Sequence, residues 1–375
     1  MSSSLSTIPT PRAFVDLPRL KNNIAAMQSL ASTAGVRLRP HAKTHKSPVI
    51  ARWQVEAGAC GICCAKLGEA EVFADAGIAD IRLPYPVHPS NAARVVALQD
   101  KTRLSIIVDD LGVAAAWSDA MQAAGRRLDV LVKVDVGFHR CGIDPDSPGA
   151  VDMIRRVGDL PGIRLQGLLS HAGQGYTAAT AAELETVAAR EIQILTTLAA
   201  RAKDRGVDVR EVSVGATPTA RFITRQKGAT EMRPGNYVFF DRTQVGLGAA
   251  AVEQTALHIV STVVSRPAPT RVIFDAGAKT LAADGCRGFT SSPGHGIVFP
   301  SLDADRPDPS IVLERLSEEH ATARVPADCP LRVGDRVRIV PNHSCVVTNL
   351  MDELPLVDGD RIVDRLPVAA RGRIW

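Results

Sequence analysis

From residue 13 to about residue 240, short apolar runs alternate with longer stretches in which apolar positions recur every three or four residues. The runs read as strands and the periodic stretches as amphipathic helices. Strands are predicted over 13–16, 36–40, 61–65, 81–84, 104–108, 130–136, 165–170, 210–214 and 237–240. Helices are predicted near 18–33, 48–57, 67–76, 90–99, 111–124, 148–157 and 178–205. Strict alternation with short connections implies parallel strands and right-handed crossovers. About eight such units define a TIM-type (β/α)8 barrel rather than an open sheet. No G-x-G-x-x-G follows a strand, which counts against a dinucleotide-binding sheet.

Near residue 248 the pattern changes to β-type runs over 259–264, 271–274, 311–316, 336–339, 345–347 and 361–364, separated by Gly, Pro and Asp turns. The expected organisation is an α/β barrel over 13–247 followed by a mainly-β domain over 248–375. Residues 1–12 are expected to form an arm packing on the β domain.

Composition narrows the function. In 375 residues, 45% are hydrophobic and 22% charged, an ordinary globular balance. A net charge of +4 with only 4% aromatics points away from nucleic acid and from membrane surfaces. The N-terminus lacks an apolar run, and no segment approaches the roughly twenty apolar residues of a membrane helix. Seven cysteines, an odd number in a long chain, favour reduced thiols and the cytoplasm. Cys60, Cys63 and Cys64 read as buried thiols of a strand.

The chemistry starts at Arg37-Leu-Arg-Pro-His-Ala-Lys-Thr-His-Lys46. Lys43 falls where a strand hands over to a helix, among other cationic groups, which lower a lysine's pKa and free the amine as nucleophile or base. A solvated basic face or a phosphate patch is the alternative. In a barrel, reactive groups lie just past the strand ends. Those positions hold Lys43, Lys66, Tyr85, Asp109, Asp135 with His139 and Arg140, His171 with Tyr176, Gly215, and Arg233 with Gly235. The 213–219 loop offers amides, hydroxyls and a helix start, the parts of a phosphate cradle or of a plain capped turn. A lysine facing a phosphate site across a barrel mouth suits pyridoxal phosphate, which needs an amine for its aldehyde.

Residue identities add a resemblance. Pro9-Thr-Pro-Arg-Ala-Phe-Val-Asp-Leu17, Arg39-Pro-His-Ala-Lys-Thr-His-Lys46, Gly61-Ile-Cys-Cys-Ala-Lys-Leu-Gly-Glu-Ala70 and Val134-Asp-Val-Gly-Phe-His-Arg-Cys-Gly142 resemble the D-threonine aldolase and D-serine dehydratase family. Asp275-Ala-Gly-Ala-Lys279, Leu316-Ser-Glu-Glu-His320 and Pro341-Asn-His-Ser-Cys345 extend the match along almost the whole chain. The resemblance implies a pyridoxal-phosphate enzyme of the alanine racemase fold type, with the cofactor on Lys43. It places Arg140 near the cofactor ring and His171 against or beside it, and makes Gly215, Ala216, Thr217, Gly235 and Asn236 phosphate contacts. We also assign Tyr176 to the cofactor site.

His343 and Cys345 form an H-x-C pair, common by chance and compatible with two core residues. Through the resemblance they become the family's divalent-metal site, and imidazole with thiolate suits zinc. The aldolase members tend to carry His-Cys-Asp there; His-Ser-Cys resembles the dehydratase members. The expected activity is β-elimination from a D-3-hydroxy amino acid such as D-serine, D-threonine or D-threo-3-hydroxyaspartate, giving a 2-oxo acid and ammonia. Rivals are an aldolase releasing glycine and an aldehyde, a racemase, and a non-catalytic cofactor carrier. A two-fold homodimer is expected from the fold type.

Overall fold

The computed structural model describes residues 4–291 and 293–375. Two compact units emerge. One contains Ala26–Lys43, Pro48–Gly235 and Gly372–Trp375; the other contains the chain up to Ala25, Thr44–Ser47 and Asn236–Arg371.

The first unit is the expected (β/α)8 barrel. After β1 (Arg12–Asp16), which belongs to the other unit, its parallel strands are β2 (Arg37–Leu38), β3 (Ile62–Cys63), β4 (Asp80–Pro86), β5 (Arg103–Val108), β6 (Leu128–Lys133), β7 (Ile163–Leu169), β8 (Glu211–Val214) and β9 (Glu231–Met232). They pair in the order β2-β9-β8-β7-β6-β5-β4-β3. Closure runs through the chain after β2: Cys63 N donates to Pro40 O at 2.8 Å and Ala42 N to Cys63 O at 2.8 Å. Helices such as Leu111–Ala123, capped by Asp110, and Ala181–Lys203, capped by Thr180, cover the strands.

The barrel interior is polar where the short strands meet. Glu231, without exposed surface, accepts from Arg39 Nε at 2.8 Å and also binds Arg82 Nη1 and Ser213 Oγ. Arg82 continues to Glu211 at 2.7 Å and Ser105 at 2.9 Å. Burial works to raise the Glu231 pKa, but Arg82 and Arg39 overcome it and hold the carboxyl far below its usual range. Arg82 is therefore bound inside this network.

In the second unit a nine-stranded sheet is built from β1 and from β10 (Leu257–Ala268), β11 (Arg271–Phe274), β12 (Gly296–Phe299), β13 (Val312–Leu316), β14 (Ala321–Arg324), β15 (Arg336–Pro341), β16 (Glu353–Asp358) and β17 (Arg361–Pro367). Residues 13–16, expected to start the barrel, instead pair antiparallel with β10 and parallel with β16. Ala13, Phe14 and Val15 are all buried, so periodicity carries no sign of which sheet takes them. The stretch 237–240, expected as a strand, holds the 3-10 turn Asn236–Val238, and the last barrel strand is the two-residue β9. Leu5 and Ile8 pack with Phe14, Val260 and Val357. Among the described residues no helix is long and apolar enough to cross a membrane.

Glu231→Gln should leave Arg39 and Arg82 incompletely paired in the interior and destabilise the barrel by about 3–5 kcal/mol. Urea unfolding followed by circular dichroism measures this; a loss below about 1 kcal/mol, the scale of an exposed ion pair, would contradict the reading.

Candidate functional site

Lys43 lies, exposed, in the turn that follows β2, with its amide 3.4 Å from His41 Nδ1. His171 follows β7, and its pKa is held well below the ordinary imidazole value, first by burial and then by Lys133, Lys43, Arg140 and Arg233. The barrel thus gathers four cations about a neutral ring. Arg140 reaches this place on the loop after β6, its guanidinium 5.1 Å over the Phe138 ring. Phe138 in turn meets His171 edge-on, with ring centroids 5.6 Å apart.

That loop is shaped by Asp135. Its Oδ1 accepts from the amides of Gly137, Phe138 and His139 at 2.9, 3.1 and 3.0 Å, and Oδ2 lies 2.9 Å from His139 Nδ1. The loop closes where Ile143 N donates to Lys133 O at 2.8 Å. At the pinch stands Gly142, with φ of +120°; a Cβ there would lie 2.6 Å from Asp135 N. Gly142 N also donates to Asp109 at 2.7 Å.

Lys133, the last residue of β6, escaped the strand-end rule because it lies within the strand. It is 3% exposed, and its Nζ has no hydrogen-bond partner among the described residues. Burial, then Arg233, push its pKa down to about 7. Lysine depression of the kind argued for Lys43 is found here. Arg233 donates to Ser213 Oγ and Ser170 O, so it braces strand ends from inside.

The expected phosphate loop is tightly wired. Gly215 N donates to both oxygens of Glu191 at 3.1–3.2 Å, and Ala216 N to Thr219 Oγ1 at 3.0 Å. Gly235 N donates to Thr217 Oγ1 at 3.2 Å, joining the two loops. Tyr176 is half-buried in the 3-10 turn Gly173–Thr177. A primary amine, a neutral imidazole and an unpartnered buried lysine amid excess positive charge fit an aldehyde cofactor carrying phosphate.

In the other unit His343 ends the connection from β15, and Cys345 lies in the first turn of the helix Ser344–Asn349. Burial opposes a charged His343, but the Cys345 sulfur, Asp241 and Asp284 outweigh it and hold the ring up at about 9. Asp284 Oδ2 is 3.5 Å from His343 Nδ1. The loop rests on Asp241, which has no exposed surface and accepts from Ser344 N at 3.0 Å, Asn236 Nδ2 at 2.6 Å and Gln244 N at 3.0 Å. The Asn236 side chain is therefore turned toward this loop. Among the described residues no group of three or more His, Cys, Asp or Glu is placed to hold a metal. Imidazole and cysteine side chains are nevertheless donors of the kind that a soft or borderline cation would take. His320 is exposed, Lys279 pairs with Glu318 and Glu319, and Asp275 is held by Ser261 and Thr262.

Comparison with known proteins agrees with this architecture. Residues 15–243 match the alanine racemase N-terminal domain and residues 256–357 a putative serine dehydratase domain. The chain is 36% identical to D-threo-3-hydroxyaspartate dehydratase of Delftia sp. (strain HT23), over 92% of this chain and 93% of that one. It is 34% identical to D-threonine aldolase of Arthrobacter sp., over 98% and 94%. A solved D-threo-3-hydroxyaspartate dehydratase, a cysteine-to-alanine variant in metal-free form, superposes with a TM-score of 0.91 at 34% identity, covering 97% of this chain and 98% of that one. The chain belongs to the D-serine dehydratase and D-threonine aldolase family, built on the alanine racemase fold. It is an enzyme of that family's class, a pyridoxal-phosphate-dependent lyase.

Asp135→Ala should release the Phe138 and Arg140 loop. Amide exchange at residues 137–139 should accelerate about 10- to 100-fold, since bonds to a charged acceptor are worth roughly 1.5–3 kcal/mol each. Unchanged protection at those amides would show that another contact shapes the loop.

Proposed function

We propose that the protein dehydrates and deaminates a D-3-hydroxy amino acid, of the size of D-serine, D-threonine or D-threo-3-hydroxyaspartate, to a 2-oxo acid and ammonia. The observation that carries the reading is His343-Ser-Cys345, where a thiolate stands in place of a carboxylate. The metal-free form of a dehydratase relative lacking a cysteine supports it.

Lys43 would hold pyridoxal phosphate covalently, with Arg140 and His171 beside its ring and Tyr176, Gly215, Ala216, Thr217, Gly235 and Asn236 about it. The cofactor supplies an electron sink for the charge left at Cα when its proton departs. Lys43, once its amine is released, is the base for that proton. His171, kept neutral by burial and surrounding cations, adds no positive charge to compete with the cofactor's own. Arg233, tied to Ser170 and Ser213, contributes fixed positive charge. His343 and Cys345 would hold zinc, or another divalent cation, as a Lewis acid for the 3-hydroxyl. Hydroxide is lost as water, and hydrolysis of the resulting enamine gives the 2-oxo acid and ammonia. A two-fold homodimer in the reduced cytoplasm completes the reading; a monomeric mass with full activity at high dilution would argue against the dimer.

The 34% identity to a D-threonine aldolase keeps carbon–carbon cleavage as the rival. Incubation with D-serine, D-threonine and both D-3-hydroxyaspartates should yield 2-oxo acid and ammonia in equal amounts. Chelation should stop turnover while the protein stays folded, and zinc should restore it. Glycine and an aldehyde as main products, or full elimination without metal, would overturn the assignment.

A further inference from the structure

The hydroxyl of Thr44 lies 3.2 Å from Cys345 Sγ. Thr44 has no exposed surface, and its side chain bonds to nothing else among the described residues. It follows Lys43 directly in the sequence, yet it packs with Asn236–Arg371 rather than with the barrel. The His343 ring also hydrogen-bonds the sulfur, a bond it would give up as a ligand of the same ion, and Asn236 Nδ2 lies 3.7 Å from it. That amide is already spent on Asp241 at 2.6 Å and Ser344 at 3.0 Å, both shorter contacts. Thr44 is therefore the better-placed donor to the sulfur.

A cysteine ligates a divalent metal as its thiolate, which has no proton to give. In that state the Thr44 hydroxyl must be the donor. Such a bond stabilises the anion, fixes the direction of its remaining lone pairs and draws charge from the sulfur–metal bond. We propose that Thr44 is a positioning residue of the metal centre, its hydroxyl orienting the Cys345 thiolate for the ion shared with His343. This rests on His343 and Cys345 being the metal ligands.

The test uses full-length protein with zinc, and with cobalt as a spectroscopic substitute. Thr44→Val keeps the volume and removes the hydroxyl; Thr44→Ser keeps the hydroxyl and removes the methyl. Chelator competition should show zinc bound about 10- to 100-fold more weakly by Thr44→Val, the usual effect of losing a partner of a metal ligand. Its thiolate-to-cobalt charge-transfer band should shift. Thr44→Ser should keep the wild-type band and stay within about threefold in affinity, since the donor is retained. If Thr44 merely fills space, the order reverses, with valine like wild type and serine weakened. Should Thr44→Val fail to fold, a shifted band or weak binding in Thr44→Ser still refutes the proposal, and a wild-type band there supports it. His343→Ala and Cys345→Ala give the separate control. Undiminished metal binding in both would sink the ligand assignment and Thr44 with it, whereas metal loss in both with a wild-type-like Thr44→Val would sink Thr44 alone.

Discussion

A carboxylate with no exposed surface, Glu231, binds two arginines from different parts of the barrel wall, and much of the interior is arranged around it. Arg39 lies just past β2 and Arg82 in the middle of β4, while Ser213 and Glu211 come from β8. Strands β2, β3 and β9 are only two residues long, too short for backbone pairing alone to fix their positions. Side-chain ion pairs do that work. Replacing one partner would strand a charge in the interior, a cost well above that of a surface pair.

The same arrangement governs where charge is left over. Glu231 and Glu211 are consumed by Arg39, Arg82 and Arg37. Glu191 is engaged by the Gly215 amide and Ser170. Burial, reinforced by Lys133, Lys43, Arg140 and Arg233, holds the His171 ring well below its ordinary pKa, and burial with Arg233 pushes Lys133 down to about 7. A site with that balance attracts anions without offering a proton from imidazole. A phosphorylated aldehyde that forms a covalent bond to a lysine suits both features.

Much of this was legible in the sequence, for reasons particular residues make clear. The alternation of apolar runs and amphipathic stretches gave the barrel, and the His-Ala-Lys-Thr-His and His-Ser-Cys stretches gave the family. Ala13–Val15 was misplaced because a run buried on both sides has no polar face to say which sheet it joins. β9 was passed over because two residues make no period. Arg82 and Lys133 show a subtler limit. Both point to the interior from within strands, one matched by carboxylates and one unmatched, and only three-dimensional neighbours tell them apart. Asp241 gave no motif at all; its role in shaping the His343 loop depends on contacts about a hundred residues apart in the chain.

The central claim is that the lysine carrying the cofactor is Lys43, although Lys133 is the lysine whose amine the interior makes easiest to deprotonate. Borohydride reduction of the protein loaded with pyridoxal phosphate, followed by peptide mass mapping, addresses it directly. The account predicts one phosphopyridoxyl group, on the peptide containing Lys43, and none on that peptide in Lys43→Ala. A label on Lys133 in the unaltered protein would contradict it.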